Sequence, residues 1–362
     1  VDYKEARTIN SRSDAFKCYS GPYFHAIESE VYRNPFFIKH IPVAERGRYI
    51  LRRVGDGGRL LYATDYTSFE AHFTPEIMRA CELQLYKHML RNVAGGRIIY
   101  HNIAVALSTR NRLNFADLRV DIRGCRMSGD MCTSLGNGFT NLMLMSYAAA
   151  KSGSILSGVV EGDDGLFGAS RPIDVSWINK LGFVLKIDQC TDIAEARFCS
   201  MCVSPDTARV MKDPIKTVLN AGWTFSEARF SARARLELLA AKANSILCEN
   251  FGVPIASALG RYLRRVTSGV RPRYSGMGGA MTHTEEAIDI SESRIEASMT
   301  AFVDDRDRCL VERVYGIPIQ SQLHIESYFD SCNVIQPIPA RLLQGLAPNN
   351  SHIYALEHVF YA

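Results

Sequence analysis

The chain lacks a long apolar run. Its most apolar stretch, LMLMSYAAA over 142–150, is too short to cross a bilayer, which takes about 20 apolar residues. No charged start followed by an apolar core marks a secretory leader. Internal repeats and low-complexity tracts are missing too, which excludes a solenoid or fibrous array. An excess of one charge sign is nearly absent: the net charge is +4, which permits a polyanionic partner without requiring one. Of the ten cysteines, only Cys199 and Cys202 have the spacing of half a zinc site, and no second pair or His cluster completes it. The cysteines read as reduced, mostly buried thiols of an intracellular protein. What is there is 362 residues of ordinary globular composition, 47% hydrophobic and 22% charged. That exceeds one compact core, so two or three subdomains are expected. The chain opens at Val1 among charged residues and reads as a piece of a longer polypeptide.

Residues 1–60 mix basic and aromatic residues, with turns expected at Gly21-Pro22, Asn34-Pro35 and Gly55-Asp56-Gly57-Gly58. RLLYATDYTSF (59–69) reads as a buried strand ending in a carboxylate. Over 75–93, Ile77, Cys81, Leu85 and Met89 carry a helical period, with Thr74 as N-cap and Pro75 at the first helical position. Residues 97–124 alternate like strands or irregular structure. A loop at Ser128-Gly129 leads into a long helix that ends before Gly153, and the hairpin SGVVEG-DDG-LF follows. A short helix near 173–181, then strands in GFVLKI and ARFCSMCV, complete this part. Beyond Lys212 the sequence is strongly helical, and 333–352, rich in Pro, Asn and Gly, predicts a loose surface tail. Strands grouped in hairpins, without regular βαβ alternation, make this an α+β chain.

VVEGDDGLFG (159–168) places two carboxylates side by side between glycines. A hairpin turn explains such a doublet on its own, and Val303-Asp304-Asp305 repeats the doublet in what reads as a solvated helix. Distant partners decide the matter. Asp65 ends its own apolar strand, and if the two strands are neighbours, Asp65, Asp163 and Asp164 meet at one sheet rim. Three such acids need cations, and hard carboxylate oxygens in an open site suit Mg²⁺ or Mn²⁺. Two such ions, about 3.5–4 Å apart, clamp an in-line phosphoryl transfer. Gly162 and Gly165 would let a substrate backbone approach closely. No Asp-x-Asp-x-Asp-Gly loop surrounds the acids, so an EF-hand is excluded. Between them, RMSGDMCTSLGN (126–137) puts Thr133 and Asn137 four residues apart on one helical face. A hydroxyl and an amide there suit a ribose hydroxyl, while a helix start capped by Ser128 accounts for the same residues equally well. Lys4, Arg7 and Arg12 in KEARTINSRSDAF (4–16) read either as a solvated run or as cations presented to a triphosphate.

In this order (basic segment, strand-end Asp, Ser-Gly-helix, GDD hairpin) the sequence resembles the RNA-dependent RNA polymerases of positive-strand RNA viruses, closest to the tombusvirus-like and nodavirus-like replicases. SGDMCTSLGN matches that family's S-G-x-x-x-T-x-x-x-N, and the resemblance runs from about residue 4 to about 204. It implies a right-hand polymerase: a palm with an antiparallel sheet, partial fingers and a helical thumb. The implied divisions are 1–60 partial fingers with motif F, 61–80 palm motif A, 81–122 a fingers insertion, 123–211 palm motifs B to E, 212–332 thumb, and 333–362 a surface tail. By the resemblance, Asp65 with the Tyr66 carbonyl, Asp163 and Asp164 hold two Mg²⁺ or Mn²⁺ ions. Ser128, Thr133 and Asn137 check the ribose, and Lys4, Arg7 and Arg12 neutralise the incoming triphosphate. Lys180 or Lys186, with Lys186 preferred, protonates the leaving pyrophosphate, and Phe198-Cys199-Ser200 forms the motif E hairpin that grips the primer strand. Where the family commonly has a second Asp in motif A, this chain has Glu70, which is expected to keep the hydrogen bond to Asn137.

The implied activity is RNA synthesis on an RNA template from nucleoside triphosphates, with template and nascent RNA as partners. Other replicase regions are expected upstream, membrane association through a region missing from this sequence, and a location in host cytoplasm at membrane-associated replication complexes. Two rivals stand beside it. A reverse transcriptase shares the architecture, but Gly162 before the acids and the Ser-Gly-helix motif belong to the RNA-templated RNA enzymes. A polymerase-shaped RNA-binding scaffold with a degraded site is opposed by the presence of all three acids.

Overall fold

In the computed structural model, helix α1 (Asp14–Val31) starts where Ser13 accepts a hydrogen bond from the Phe16 N–H. The structure describes residues 9–55, 60–222, 231–274 and 291–336, with 338, 339 and 342. Gly21-Pro22 lies inside α1, not in the expected turn. Proline removes one helical hydrogen bond, but Ser20, Phe24 and Ile27 are buried at helical spacing along the same stripe, and that burial carries the helix through. The chain divides into two units, 1–40 with 52–192 and 41–51 with 193–362, and α2 (Val43–Val54) spans a division between them.

In the first unit, β1 (Leu60–Tyr66) leads to a short 3₁₀ turn at Phe69–His72. Thr74 accepts from the Ile77 N–H at 3.3 Å with Pro75 first in the helix, as the sequence predicts. The single expected helix is two, α3 (Pro75–Ala80) and α4 (Glu82–Leu90), broken at Cys81 so that α4 buries Glu82, Leu83, Tyr86 and Leu90. The expected extended structure over 97–124 is half wrong. Residues Gly96–Ser108 form α5, because Ile99, Ile103 and Leu107 recur at four-residue steps and are all buried. Only the second half is a hairpin, β2 (Arg110–Asn114) with β3 (Arg119–Arg123). Helix α6 (Thr133–Lys151), β4 (Leu156–Glu161), β5 (Asp164–Ala169), α7 (Ser176–Asn179) and β6 (Leu185–Cys190) follow the predicted order.

The main sheet runs β4-β5-β1-β6, and every pairing is antiparallel. Residues 36–38 extend its β4 edge: the Val160 N–H donates to the Phe36 carbonyl at 2.7 Å and the Ile38 N–H to Val160 at 3.3 Å. Tyr62, Tyr66, Val160 and Phe167 join a core with Leu135, Leu142 and Met145 of α6 and with Leu83 and Tyr86 of α4.

The second unit holds the short pair β7 (Met201–Val203) and β8 (Val210–Lys212). Among the described residues its helices are α8 (Pro214–Asn220), α9 (Ala232–Glu249), α10 (Ala256–Val266), α11 (Glu292–Met299), α12 (Asp305–Tyr315) and α13 (Ile319–Ser331). The helical character expected beyond Lys212 is met. Asp304, half of the bland doublet, caps α12 by accepting from the Arg306 N–H at 2.9 Å. The arginines of this part mostly tie the unit together: Arg261 bonds Asp330 at 2.9 Å, and Arg265 donates to the Phe329 and Cys332 carbonyls at 2.6 and 2.7 Å. Cysteines are free, and only Cys132, Cys202, Cys248 and Cys332 are buried, fewer than expected. No helix among the described residues is long and apolar enough to cross a membrane.

The two glycines of the GDD hairpin have structural duties. Gly162 takes φ +62 as the first of two turn residues between the paired Glu161 and Asp164, where glycine relieves the cost of a left-handed backbone. A Cβ on Gly165 would lie 2.4 Å from the Phe167 ring and 2.8 Å from Thr64 Oγ1. Gly165→Ala therefore overpacks the β1–β5 junction and is expected to destabilise the chain by about 1–3 kcal/mol, read as a lowered urea midpoint at unchanged m-value.

Candidate active site at the rim of the sheet

The register of β1 brings the acids together. Thr64 pairs with Gly165 of β5. That is the last registered pair of β1 with β5; Asp65 follows Thr64 and Asp164 precedes Gly165, so both acids adjoin it at the same end of the sheet. Tyr66, the next residue, points to the other face: its hydroxyl donates to Asn141 Oδ1 of α6 at 3.3 Å. Asp163 occupies the turn, and its carbonyl accepts from Asn141 Nδ2 at 2.9 Å. Asp65 and Asp163 are exposed, and Asp164 is half-buried. Burial, and after it the negative charge of Asp163, holds the Tyr66 phenol well above its ordinary value. On the other flank of β1, Lys186 of β6 is the registered partner of Asp65. Asp65 thus has a lysine as its cross-strand neighbour on β6.

The donor type, hard carboxylate oxygens of three aspartates at one end of the sheet, is the one that divalent cations such as Mg²⁺ or Mn²⁺ take. Among the described residues, however, no group of three or more His, Cys, Asp or Glu side chains is drawn together into a ready ion site. The acids share a rim without closing on one point.

Glu70 sits at the 3₁₀ turn, and its carboxylate is forked: Oε2 accepts from the Ser128 hydroxyl and Oε1 from Asn137 Nδ2 at 3.4 Å. The expected Glu70–Asn137 contact is present. Ser128 does not cap α6: Cys132 is the N-cap residue and makes no side-chain capping bond. Thr133 lies in the first turn of α6, and its hydroxyl is directed to the carbonyls of Asp130 and Met127 at 2.7 and 3.1 Å. Asn137 is buried, and its Oδ1 has no hydrogen-bond partner.

The loop ahead of α6 is braced from several sides. Arg12 Nε and Nη2 reach the Asp130 carboxylate at 2.5 and 3.2 Å, and Nη1 donates to Asn111 Oδ1. The Arg126 N–H donates to the Glu70 carbonyl at 3.1 Å. The Arg126 guanidinium is fully buried against the equally buried Glu82. Burial alone would weaken its hold on the proton, but the charge of Glu82, with smaller contributions from neighbouring groups, outweighs this and keeps it above its ordinary value. Burial also pushes the Cys132 thiol up to about 12, so that it meets Arg126 Nη1 at 3.3 Å as a neutral sulfur. Glycine is required at two places here. A Cβ on Gly136 would strike both Glu82 and Arg126, and one on Gly129 would lie 2.8 Å from the Asn10 and Ser11 backbone, where Ser11 and Gly129 bridge.

Lys4 and Arg7 lie outside the described residues. Lys180 stacks its ammonium over Trp177, 4.1 Å from the ring centroid, a structural use that Lys186 does not share. Phe198 and Met201 exchange backbone hydrogen bonds at 2.9 Å around a two-residue turn in which Cys199 and Ser200 both take positive φ, and this hairpin belongs to the second unit. Sequence reasoning missed Asn141, Glu82, Arg126 and Asp130. Asn141 was within reach, since it continues the four-residue series Thr133, Asn137.

Removing one partner of a buried ion pair strands the other. Arg126→Met is expected to destabilise by about 3–5 kcal/mol, and the double change Glu82→Leu with Arg126→Met to recover most of that loss, both read by chemical denaturation.

A family model described as viral RNA dependent RNA polymerase matches residues 6–336 of the chain. No curated protein matches it.

Proposed function

The chain belongs to the viral RNA-dependent RNA polymerases, and from that premise we propose how its residues divide the work of synthesising RNA on an RNA template from nucleoside triphosphates. Asp65, Asp163 and Asp164, with the Tyr66 carbonyl, would hold two divalent ions. Bound there, such ions supply charge neutralisation and an activated hydroxyl to an in-line phosphoryl transfer. The observation that supports this reading is the strand register, whose last pair, Thr64 with Gly165, is adjoined by Asp65 on β1 and by Asp164 on β5, beside the Gly162-Asp163 turn.

The chain's own groups do the rest. Glu70 holds Ser128 and Asn137 in one fork, which leaves the buried Asn137 Oδ1 as an acceptor for a ribose hydroxyl. An unpaired buried acceptor costs about 1–3 kcal/mol, a cost a ribose donor removes and a deoxyribose does not. Thr133 shapes the start of α6 under that fork. Lys186, beside Asp65 in the register, is the proton donor to the leaving pyrophosphate, in preference to Lys180 with its tryptophan partner. Arg12 is committed to Asp130 and Asn111, so the triphosphate falls to Lys4 and Arg7 and Arg12 braces the loop. Base selection comes from pairing with the template. The scaffold reading loses support from the complete set of acids, and the reverse-transcriptase reading from the family itself.

Primer extension on an RNA template tests the assignment. Asp163→Ala and Asp65→Asn are expected to abolish metal-dependent synthesis, and retained synthesis by either would refute the role. Glu70→Ala is expected to cut the preference for ribo- over deoxyribonucleotides by about 5- to 150-fold, as the loss of roughly 1–3 kcal/mol of discrimination implies. Lys186→Leu should slow single-turnover incorporation and flatten its pH profile, while Lys180→Leu leaves both unchanged.

A further inference from the structure

The β2–β3 hairpin has two unlike faces. Asn111, Leu113, Val120 and Ile122 are buried or half-buried, and Asn111 Nδ2 donates to the Gly124 carbonyl at 3.1 Å while its Oδ1 accepts from Arg12. The inner face is therefore tied to the loop that leads into α6. The alternate residues are exposed, and the register pairs them as Arg110 with Arg123, Arg112 with Asp121, and Asn114 with Arg119. Four guanidiniums face solvent against one carboxylate. Asp121 serves two of them, Arg110 and Arg112, the latter at 3.3 Å. Arg110 and Arg123 stand directly opposite each other, an arrangement that destabilises a ribbon. Nearby Glu76 is paired with Arg79 at 3.6 Å. Along each strand the exposed side chains step by about 6.8 Å.

A solvent face that keeps like charges opposed, on a ribbon anchored from behind, is matched to a polyanion. We propose that the outer face of β2–β3 is a phosphate-contacting surface for RNA, in which Arg112, Arg119 and Arg123 grip the backbone of a single strand without reading its bases. The choice of RNA rests on the polymerase reading. The chemistry is that of phosphate, which a single strand, a duplex and a free triphosphate share, so the test separates the three.

The experiment measures binding of a fluorescent single-stranded RNA 20-mer against salt concentration, in an Asp163→Ala background so that no synthesis intervenes. Replacing Arg112, Arg119 and Arg123 together by Gln is expected to lower the slope of log K against log salt by about 2, since each single-strand phosphate contact contributes about 0.7. A control with the same charge change on other exposed arginines, Arg33, Arg233 and Arg306 to Gln, should leave the slope in place. An equal slope in both variants overturns the proposal, as does a larger loss on duplex RNA or on a nucleoside triphosphate than on the single strand. A changed oligomeric state by sedimentation with an unchanged slope also overturns it, assigning the face to contact between copies. These outcomes are independent of the polymerase reading, which stands or falls on synthesis by the Asp163 and Asp65 variants.

Discussion

Strand β1 is fixed on both sides at once, and the rest of the site depends on that. Thr64 answers Gly165 on one flank and Ile187 on the other. Because side chains alternate with a period of two, a one-residue slip of β1 would turn Asp65 towards α6 and Tyr66 out to solvent. Tyr66 resists that slip, since its ring is packed against Phe69 and Phe183 and its hydroxyl is held by Asn141. Asn141 also holds the carbonyl of Asp163. One buried amide therefore ties the back of β1 to the GDD turn, and the acids on the opposite face inherit their alignment from it. That face carries Asp65 with Lys186 as its cross-strand neighbour.

A second constraint lies beneath the loop that precedes α6. The buried Arg126–Glu82 pair takes two charges out of water, at a desolvation cost that a pair alone rarely recovers. Its setting suggests a positional purpose. The Arg126 backbone holds Glu70, its side chain is locked by α4, and α6 carries Gly136 at the point where any larger residue would collide with both charges. The fork of Glu70 with Ser128 and Asn137 is thus built on a rigid base, and the Arg12–Asp130 bridge closes the same loop from the N-terminal side.

Much of this was legible in the sequence, and what was not has physical causes. Strand β1, the GDD hairpin and α6 are readable from their periods and turn residues, and the Thr74–Pro75 start from its capping chemistry. Gly21-Pro22 misled because turn statistics weigh proline heavily, whereas Phe24 and Ile27 bury enough surface to keep α1 continuous. Residues Ile98, Ile99, Ile103 and Val105 suggest a strand by composition, and only the buried four-residue series through Leu107 reveals α5. At the site, Asp65, Glu70, Ser128 and Asn137 were legible through spacing and family motif. Glu82 and Arg126 were not, since a long-range pair leaves no local periodic trace. Sequence alone reads the hairpin glycines as room for a substrate, yet Gly162 is required by its φ and Gly165 by Phe167 and Thr64.

Glu70 is the instructive departure from the family pattern. A carboxylate one methylene longer would overshoot a partner placed for Asp, unless its backbone sat further back. Here it issues from a 3₁₀ turn preceded by Ser68 in a left-handed conformation, and its carbonyl is pinned by the Arg126 N–H. The extra reach is used in both directions, with one oxygen on Ser128 and the other on Asn137. A shorter acid in the same backbone would have to give up one of the two. The longer side chain thus reaches both partners from this turn, and the contact to the α6 asparagine is made.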